Sequence, residues 1–233
     1  MNNSSKYLFI LSPPYSGSTV LWQVLQTSSS VSALPDEGQK LPELAQMMRR
    51  EPWNPATPFD WPLIYQTWRR YWDLSRPILL EKSPPHLCRY AALDACFKPA
   101  NYLLLLRDPI ATCEALHRRN SLSYTSAARR WLDWLRLHIQ SREHLANTLI
   151  VYYEDMTDDP TGTFTAIADW MPELADVDHT ASVEAHSVHG VRRQPLLNLN
   201  ASKLQRVSHE DRAAVLRVLE TEQDLLAHTR YGL

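Results

Sequence analysis

The chain has 233 residues, with 24 lysines and arginines against 26 aspartates and glutamates, a formal net charge of −2. That length buries about 70% or more of the unfolded chain's surface and takes one domain by default. The near balance of charge gives no global reason to expect nucleic acid or an anionic membrane as a partner, so anion binding has to come from local clusters.

Cys88, Cys96 and Cys113 form no CxxC or Cys/His metal spacing, and their odd number suggests no disulfide framework, which points to a reducing interior. The segment 1–11 carries one lysine and then a five-residue apolar run, too short for a signal h-region or a membrane span, so a soluble cytoplasmic protein is expected.

Residues 7–11 read as a buried strand that enters the turn-prone segment SPPYSGST and opens into a helix marked by Val20, Leu21, Val24 and Leu25. Strand, loop and helix start form the usual cradle for phosphate. The helix N-terminus offers unpaired amides, Ser16, Ser18 and Thr19 add hydroxyls, and Gly17 lets the backbone come close. The same residues also suit a plain polar cap. No lysine follows Gly17, so the Walker pattern is absent and ordinary ATP or GTP binding is disfavoured.

The next loop carries adjacent carboxylates, Asp36 and Glu37, before a short helix over about 42–50. They read either as a solvated pair near a helix start or as candidates for acid–base work. A proline-rich loop then leads into a helix from about 62, with Trp61, Tyr65, Trp68 and Trp72 at helical spacing. That stripe is either buried core or the lining of an acceptor pocket in a lid or insertion over about 36–75.

A strand over 78–80 ends at Lys82, a helix spans 87–97, and the clearest strand, 102–106, ends at Arg107. In an open parallel sheet, ligands gather at the carboxyl ends of strands, and an arginine there clamps phosphate bidentately. Helices over 110–119 and 123–146 precede a strand at 148–152, and DDPTGTF starts another helix with an acidic cap and proline. The alternation implies an α/β fold with a central parallel sheet. Beyond it, HSVHGVRRQ reads as a loop around Gly190, and a last helix covers 209–229. The histidines at 179, 186 and 189 lack supporting cysteine or carboxylate spacing, so no metal is expected.

Taken together and in order, SPPYSGSTVL, the DEG loop, EKSPPH, LLLLRDP, VYYEDMTDDP and RYGL resemble the sulfotransferases that use 3′-phosphoadenosine 5′-phosphosulfate (PAPS), closest in flavour to the bacterial and tyrosylprotein-type branch. The resemblance implies a single P-loop-like three-layer α/β/α domain over 1–233 and sulfuryl transfer to a hydroxyl, less readily an amine, of a small apolar or aromatic acceptor. It implies no metal.

By the same resemblance, Ser16, Gly17, Ser18 and Thr19 hold the 5′-phosphosulfate and Arg107 the 3′-phosphate. Lys82 assists at the sulfuryl group, Glu37 is the base with Asp36 as its alternative, and the loop holding Gly190, Arg192 and Arg193 closes over the nucleotide. Three positions depart from the family. Tyr15 replaces the cation before Ser-Gly, Ala115 replaces a phosphate-binding serine, with Thr112 one turn earlier as a substitute, and Val191 replaces the asparagine after glycine. Loss of one preorganised donor costs about a hundred- to a thousandfold in rate, so a protein that binds the nucleotide and turns over slowly is the second reading. A kinase-like transferase is the third.

Overall fold

The strand KYLFIL sets the architecture, because it is apolar on both faces and therefore has to be covered on both. The computed structural model describes residues 5–188 and 190–232, the side chains of His186 and Ser187 excepted; His189 of the HSVHGVRR stretch and Leu233 of RYGL lie outside them. Strand β1 (Lys6–Leu11) directs Tyr7, Phe9 and Leu11 into one core and Leu8 and Ile10 into the other. Strand β4 (Ala100–Leu106) divides in the same way, Tyr102, Leu104 and Leu106 against Leu103 and Leu105. This is the period of two of a strand buried on both sides.

With β2 (Val31–Ala33), β3 (Ile78–Glu81) and β5 (Thr148–Tyr152), these strands form a five-stranded sheet in the order β2-β3-β1-β4-β5. Every pairing is parallel. All five carboxyl ends therefore lie along one edge.

Helices cover both faces, giving three layers. On one side lie α1 (Ser18–Leu25), α7 (Tyr153–Asp158) and α8 (Pro160–Trp170), which supply Leu21, Met156 and Ile167 to the smaller core. On the other lie α2 (Pro42–Met48), α3 (Trp61–Tyr71), α4 (Tyr90–Cys96), α5 (Pro109–Asn120) and α6 (Tyr124–His144). Asp60, Asp108 and Asp159 each cap a helix and precede a proline in its first turn, accepting from Leu63, Ala111 and Gly162 amides at 2.9, 2.7 and 2.9 Å. The proline has no amide to waste at that position and the aspartate satisfies one of the remaining ones, worth about 1 kcal/mol per cap.

Three sequence expectations need correction. Strand β2 was unmarked, because three residues with a central serine make no apolar run. The stretch read as the loop HSVHGVRRQ is an antiparallel hairpin of β6 (Val183–Ser187) and β7 (Gly190–Gln194). Only Val183 and Ala185 of β6 are buried hydrophobics there, so its period-two signal is two residues long. The helix expected over 209–229 is α10 (His209–Leu219), a 3-10 turn at Glu220–Glu222 and α11 (Gln223–Leu226), after the short α9 (Asn200–Leu204).

The tryptophan stripe is core at its inner positions. Trp68 and Trp72 are buried, and Trp68 stacks on Phe97 at 5.2 Å. Among the described residues no helix is long and apolar enough to cross a membrane.

Candidate active site at the carboxyl edge of the sheet

Between β1 and α1 the chain turns through two left-handed residues, Tyr15 (φ 65°) and Gly17 (φ 93°). Glycine at 17 is required twice over. Its φ suits no side chain, and a Cβ there would stand 2.5 Å from the Tyr153 ring. No side chain caps α1, and Ser18 and Thr19 of its first turn line the cavity beyond. That cavity, about 480 Å³, is walled by Tyr15, Gly17, Ser18, Thr19, Lys82 and Arg107, with Asp36, Glu37 and Lys40 on one side and Glu184 and Ala185 of β6 on another.

At the end of β3 the alternation of the strand sorts three neighbours. Glu81 and Ser83 point inward, and Lys82 points at the cavity. The Lys82 ammonium donates to Thr19 Oγ1 and to Glu37 Oε1, both at 3.1 Å. Glu37 Oε2 accepts from Gln39 Nε2 at 2.7 Å, and Lys40 Nζ stands 3.4 Å from Glu37 Oε1 and 3.2 Å from Asp36 Oδ1. Of the two carboxylates, Glu37 is enclosed, its side chain 14% exposed against 58% for Asp36.

Glu37 is held from behind. The next residue, Gly38, donates its amide to Glu81 Oε1 at 2.7 Å and accepts from Trp68 Nε1 at 3.3 Å. Glu81 is fully buried. Its other contacts are Ser83 Oγ at 2.6 Å and His86 Nε2 at 2.7 Å. Burial raises the Glu81 carboxyl, and the imidazole, the hydroxyl and the Gly38 amide more than reverse this, leaving it below the usual carboxylate range.

Arg107 leaves β4 into the opposite wall. Its Nε donates to Asn200 Oδ1 at 2.8 Å and its Nη1 to Tyr15 O at 3.2 Å, while the guanidinium lies 3.7 Å over the Tyr153 ring. Nη2 is buried and has no partner among the described residues. Asn200 is fixed in turn by Glu154 at 2.6 Å, and Glu154 takes the Tyr231 hydroxyl at 2.6 Å and the Asp108 amide at 3.0 Å. The quoted motifs LLLLRDP, VYYEDM and RYGL thus meet in one polar network behind the arginine.

Ser16, Thr112, Gly190, Arg192 and Arg193 stand outside the cavity wall, and Tyr15 is part of it. Ser16 is buried with an unpaired hydroxyl and does not line the cavity. Thr112 is buried and donates back to Asp108 O at 2.9 Å. Gly190 (φ 99°), Arg192 and Arg193 lie on β7, whose partner β6 forms the cavity wall, and all three are exposed. Tyr15 donates its hydroxyl to Asn120 Oδ1 at 2.7 Å, and Arg119 lies 5.8 Å over its ring. Sequence reasoning missed Glu81, Tyr153, Asn200 and Lys203. Tyr153 and Glu81 could have been found at the ligand ends of β5 and β3, whereas Asn200 and Lys203 follow no motif. Among the described residues no three His, Cys, Asp or Glu side chains are grouped to hold a metal ion.

An uncapped helix start, two cations at later strand ends and an enclosed carboxylate thus lie together on one parallel-sheet edge, where open α/β sheets bind their ligands. The model of the Sulfotransferase family matches residues 8–173, and the chain belongs to that family. No curated protein sequence matches it. Among solved structures it is similar to the sulfotransferase domain of the Synechococcus PCC 7002 olefin synthase, with 21% identity, 95% of each chain covered and a TM-score of 0.62. It is also similar to the sulfotransferase domain from the curacin biosynthetic pathway (16% identity, 93% of this chain and 97% of that one, TM-score 0.55). Mouse sulfotransferase SULT7A1, solved with PAP, matches at 13% identity over 97% of this chain and 86% of its own, with a TM-score of 0.54. At these identities the likeness is one of fold.

Proposed function

We propose that the protein transfers the sulfuryl group of PAPS to a hydroxyl, less readily an amine, of a small acceptor with an apolar or aromatic body. The observation that carries this reading is Lys82, whose ammonium bridges the α1 threonine and the Glu37 carboxylate inside the cavity that Arg107 closes. In this scheme the 5′-phosphosulfate lies on the amides of α1, with Ser18, Thr19 and Lys82 around it. Arg107 offers its unpaired Nη2 to the 3′-phosphate.

The acceptor oxygen forms a bond to sulfur as the bond from sulfur to the phosphate oxygen breaks. Its proton passes to Glu37, and the charge growing on the leaving phosphate is met by Lys82 and the loop amides. Pro14 and Pro84 supply apolar wall. The pairing of enclosed glutamate and lysine favours the tyrosylprotein-type arrangement. Free thiols at Cys88, Cys96 and Cys113 suit a reducing cytoplasm.

The test is incubation with sulfur-labelled PAPS and a panel of phenols, alcohols and amines, alongside calorimetry with PAP. Sulfated product that disappears in Lys82→Ala supports the reading, and a folded protein that neither binds PAP nor makes product overturns it. A second reading, nucleotide binding with little turnover, draws on Tyr15, whose hydroxyl is engaged by Asn120 in place of a cation at the donor loop. PAP binding without any product across the panel would favour it.

A further inference from the structure

One buried cation facing the cavity has no role in this scheme. On α9, Asn200 and Lys203 are three residues apart and share a face. Asn200 holds Arg107, and Lys203 lies beside the same guanidinium in the cavity wall, 3% exposed. The single hydrogen bond that the described residues give its amine is to Ala111 O, at 3.3 Å. The same wall includes Ala115, one turn after Ala111 on α5, which offers a methyl group only.

An enclosed lysine needs a counter-charge, and among the described residues no carboxylate forms an ion pair with it. Glu114 of α5, a carboxylate that acts on it, is taken by Arg118 Nε at 2.8 Å and Arg206 Nε at 3.3 Å. Glu154 of α7 is committed to Asn200 and Tyr231. Asp108 caps α5 at the Ala111 amide and is itself pushed up by burial, and the other charged groups that act on the lysine, Arg107 from the end of β4 and Arg118 and Arg119 from α5, are cations. Burial first, and then these positive charges, push the amine down to about 6, with Glu114 the one opposing influence. Without ligand the amine holds its proton less tightly than an ordinary lysine does. A phosphate dianion reaching both it and the unpaired Arg107 Nη2 would provide the missing negative charge.

We propose that Lys203 is a proton-accepting ligand of the 3′-phosphate subsite: binding of a nucleoside 3′,5′-bisphosphate brings one proton from solvent onto its amine, and the resulting ammonium occupies the role of the hydroxyl that Ala115 lacks. The inference rests on the nucleotide reading above. Its consequence is that nucleotide affinity is tied to pH. Above the empty-site pKa, each unit of pH weakens binding by up to about tenfold, until the liganded lysine itself begins to lose its proton.

The test is calorimetric titration of the full chain with PAP at pH 7.5 in PIPES, HEPES and Tris, whose ionisation enthalpies differ, with 5′-AMP as the probe lacking a 3′-phosphate. Expected are uptake of close to one proton with PAP and close to none with 5′-AMP, and PAP binding that weakens by about three- to tenfold from pH 7 to 8. Lys203→Met, checked for a cooperative melt, should bind PAP at least about tenfold more weakly and without proton uptake. Wild-type binding of PAP with no proton uptake overturns the inference and leaves the nucleotide reading standing, as does uptake unchanged in Lys203→Met. Absence of uptake in the wild-type buffer series overturns the inference even if Lys203→Met fails to fold, and Lys203→Gln then serves as the second variant. A folded wild type that does not bind PAP removes both.

Discussion

Gly38 lies against the Trp68 indole so closely that a Cβ at position 38 would stand 2.6 Å from Cε2 and Nε1, and Nε1 donates to the Gly38 carbonyl at 3.3 Å. Trp68 is fully buried and cannot swing away, and the Gly38 amide is fixed on the other side by Glu81. The peptide that carries Glu37 is therefore positioned by the hydrophobic core. Gly38→Ala is expected to cost about 1–3 kcal/mol in stability from overpacking. It should lower kcat by about a hundredfold through misplacement of the base. PAP affinity should stay within about twofold, because the Arg107 wall shares no contact with this peptide. Urea unfolding, product formation and PAP titration on one preparation check all three. Wild-type kcat in a destabilised Gly38→Ala would show that the loop position does not control the chemistry.

The two adjacent carboxylates separate by their surroundings. Glu37 is enclosed with Lys82, whereas Asp36 is exposed and turned to Lys40. Glu37→Gln keeps the shape and removes the proton acceptor, so turnover should fall by about a hundred- to ten-thousandfold with PAP affinity little changed. Asp36→Asn should stay within about threefold of wild type, as expected for an exposed ion pair. Equal losses in the two variants would contradict the assignment of Glu37.

Much of this edge was legible in the sequence, and the part that was not has a physical explanation. Lys82 and Arg107 were readable because each ends an apolar run, and the end of a parallel strand is also the end of its buried pattern. Glu37 could not be separated from Asp36, since their difference is enclosure by Lys82 and Gln39, which are remote or follow in a 3-10 turn. The hairpin of β6 and β7 was hidden because its six charged or polar positions, Glu184, His186, Ser187, Arg192, Arg193 and Gln194, swamp an alternation carried by Val183 and Ala185. Trp68 showed helical spacing but not its purpose. One aromatic can be core and still place a loop, and spacing reports only the first. Lys203 gave no signal at all, because a lysine in a polar stretch reads as solvated until the packing of α9 on α5 buries it.

Arg107 has three nitrogens in distinct settings: Nε on Asn200, Nη1 on the Tyr15 carbonyl and Nη2 unpaired. A lysine cannot reproduce that fork. Arg107→Lys should weaken PAP by at least about tenfold, while 5′-AMP, which lacks the 3′-phosphate, loses no more than about threefold. The same contrast should appear in milder form in Tyr231→Phe, which strips one donor from Glu154 two contacts behind the arginine and costs about 1–3 kcal/mol of stability. If PAP and 5′-AMP weaken equally in Arg107→Lys, the arginine does not read the 3′-phosphate.

Lys203 should also leave a mark on stability without any ligand. Its folded-state pKa, pushed down to about 6, lies below the 10.5 of an ordinary lysine, so over that window the unfolded chain binds more protons than the folded one. Stability then rises with pH. The contribution of this lysine is fully present above the unfolded value and is lost progressively as pH falls toward 6. Lys203→Met keeps the length of the side chain and removes the titration. The variant should melt at a higher temperature than wild type near pH 6.5, and the gap should narrow steadily by pH 9. A constant offset in Tm would reflect packing alone, so the slope of the difference against pH is the diagnostic quantity. A flat difference across that range would mean that Lys203 is charged in the folded protein, and that its burial is compensated by solvent or by a shift of Glu114.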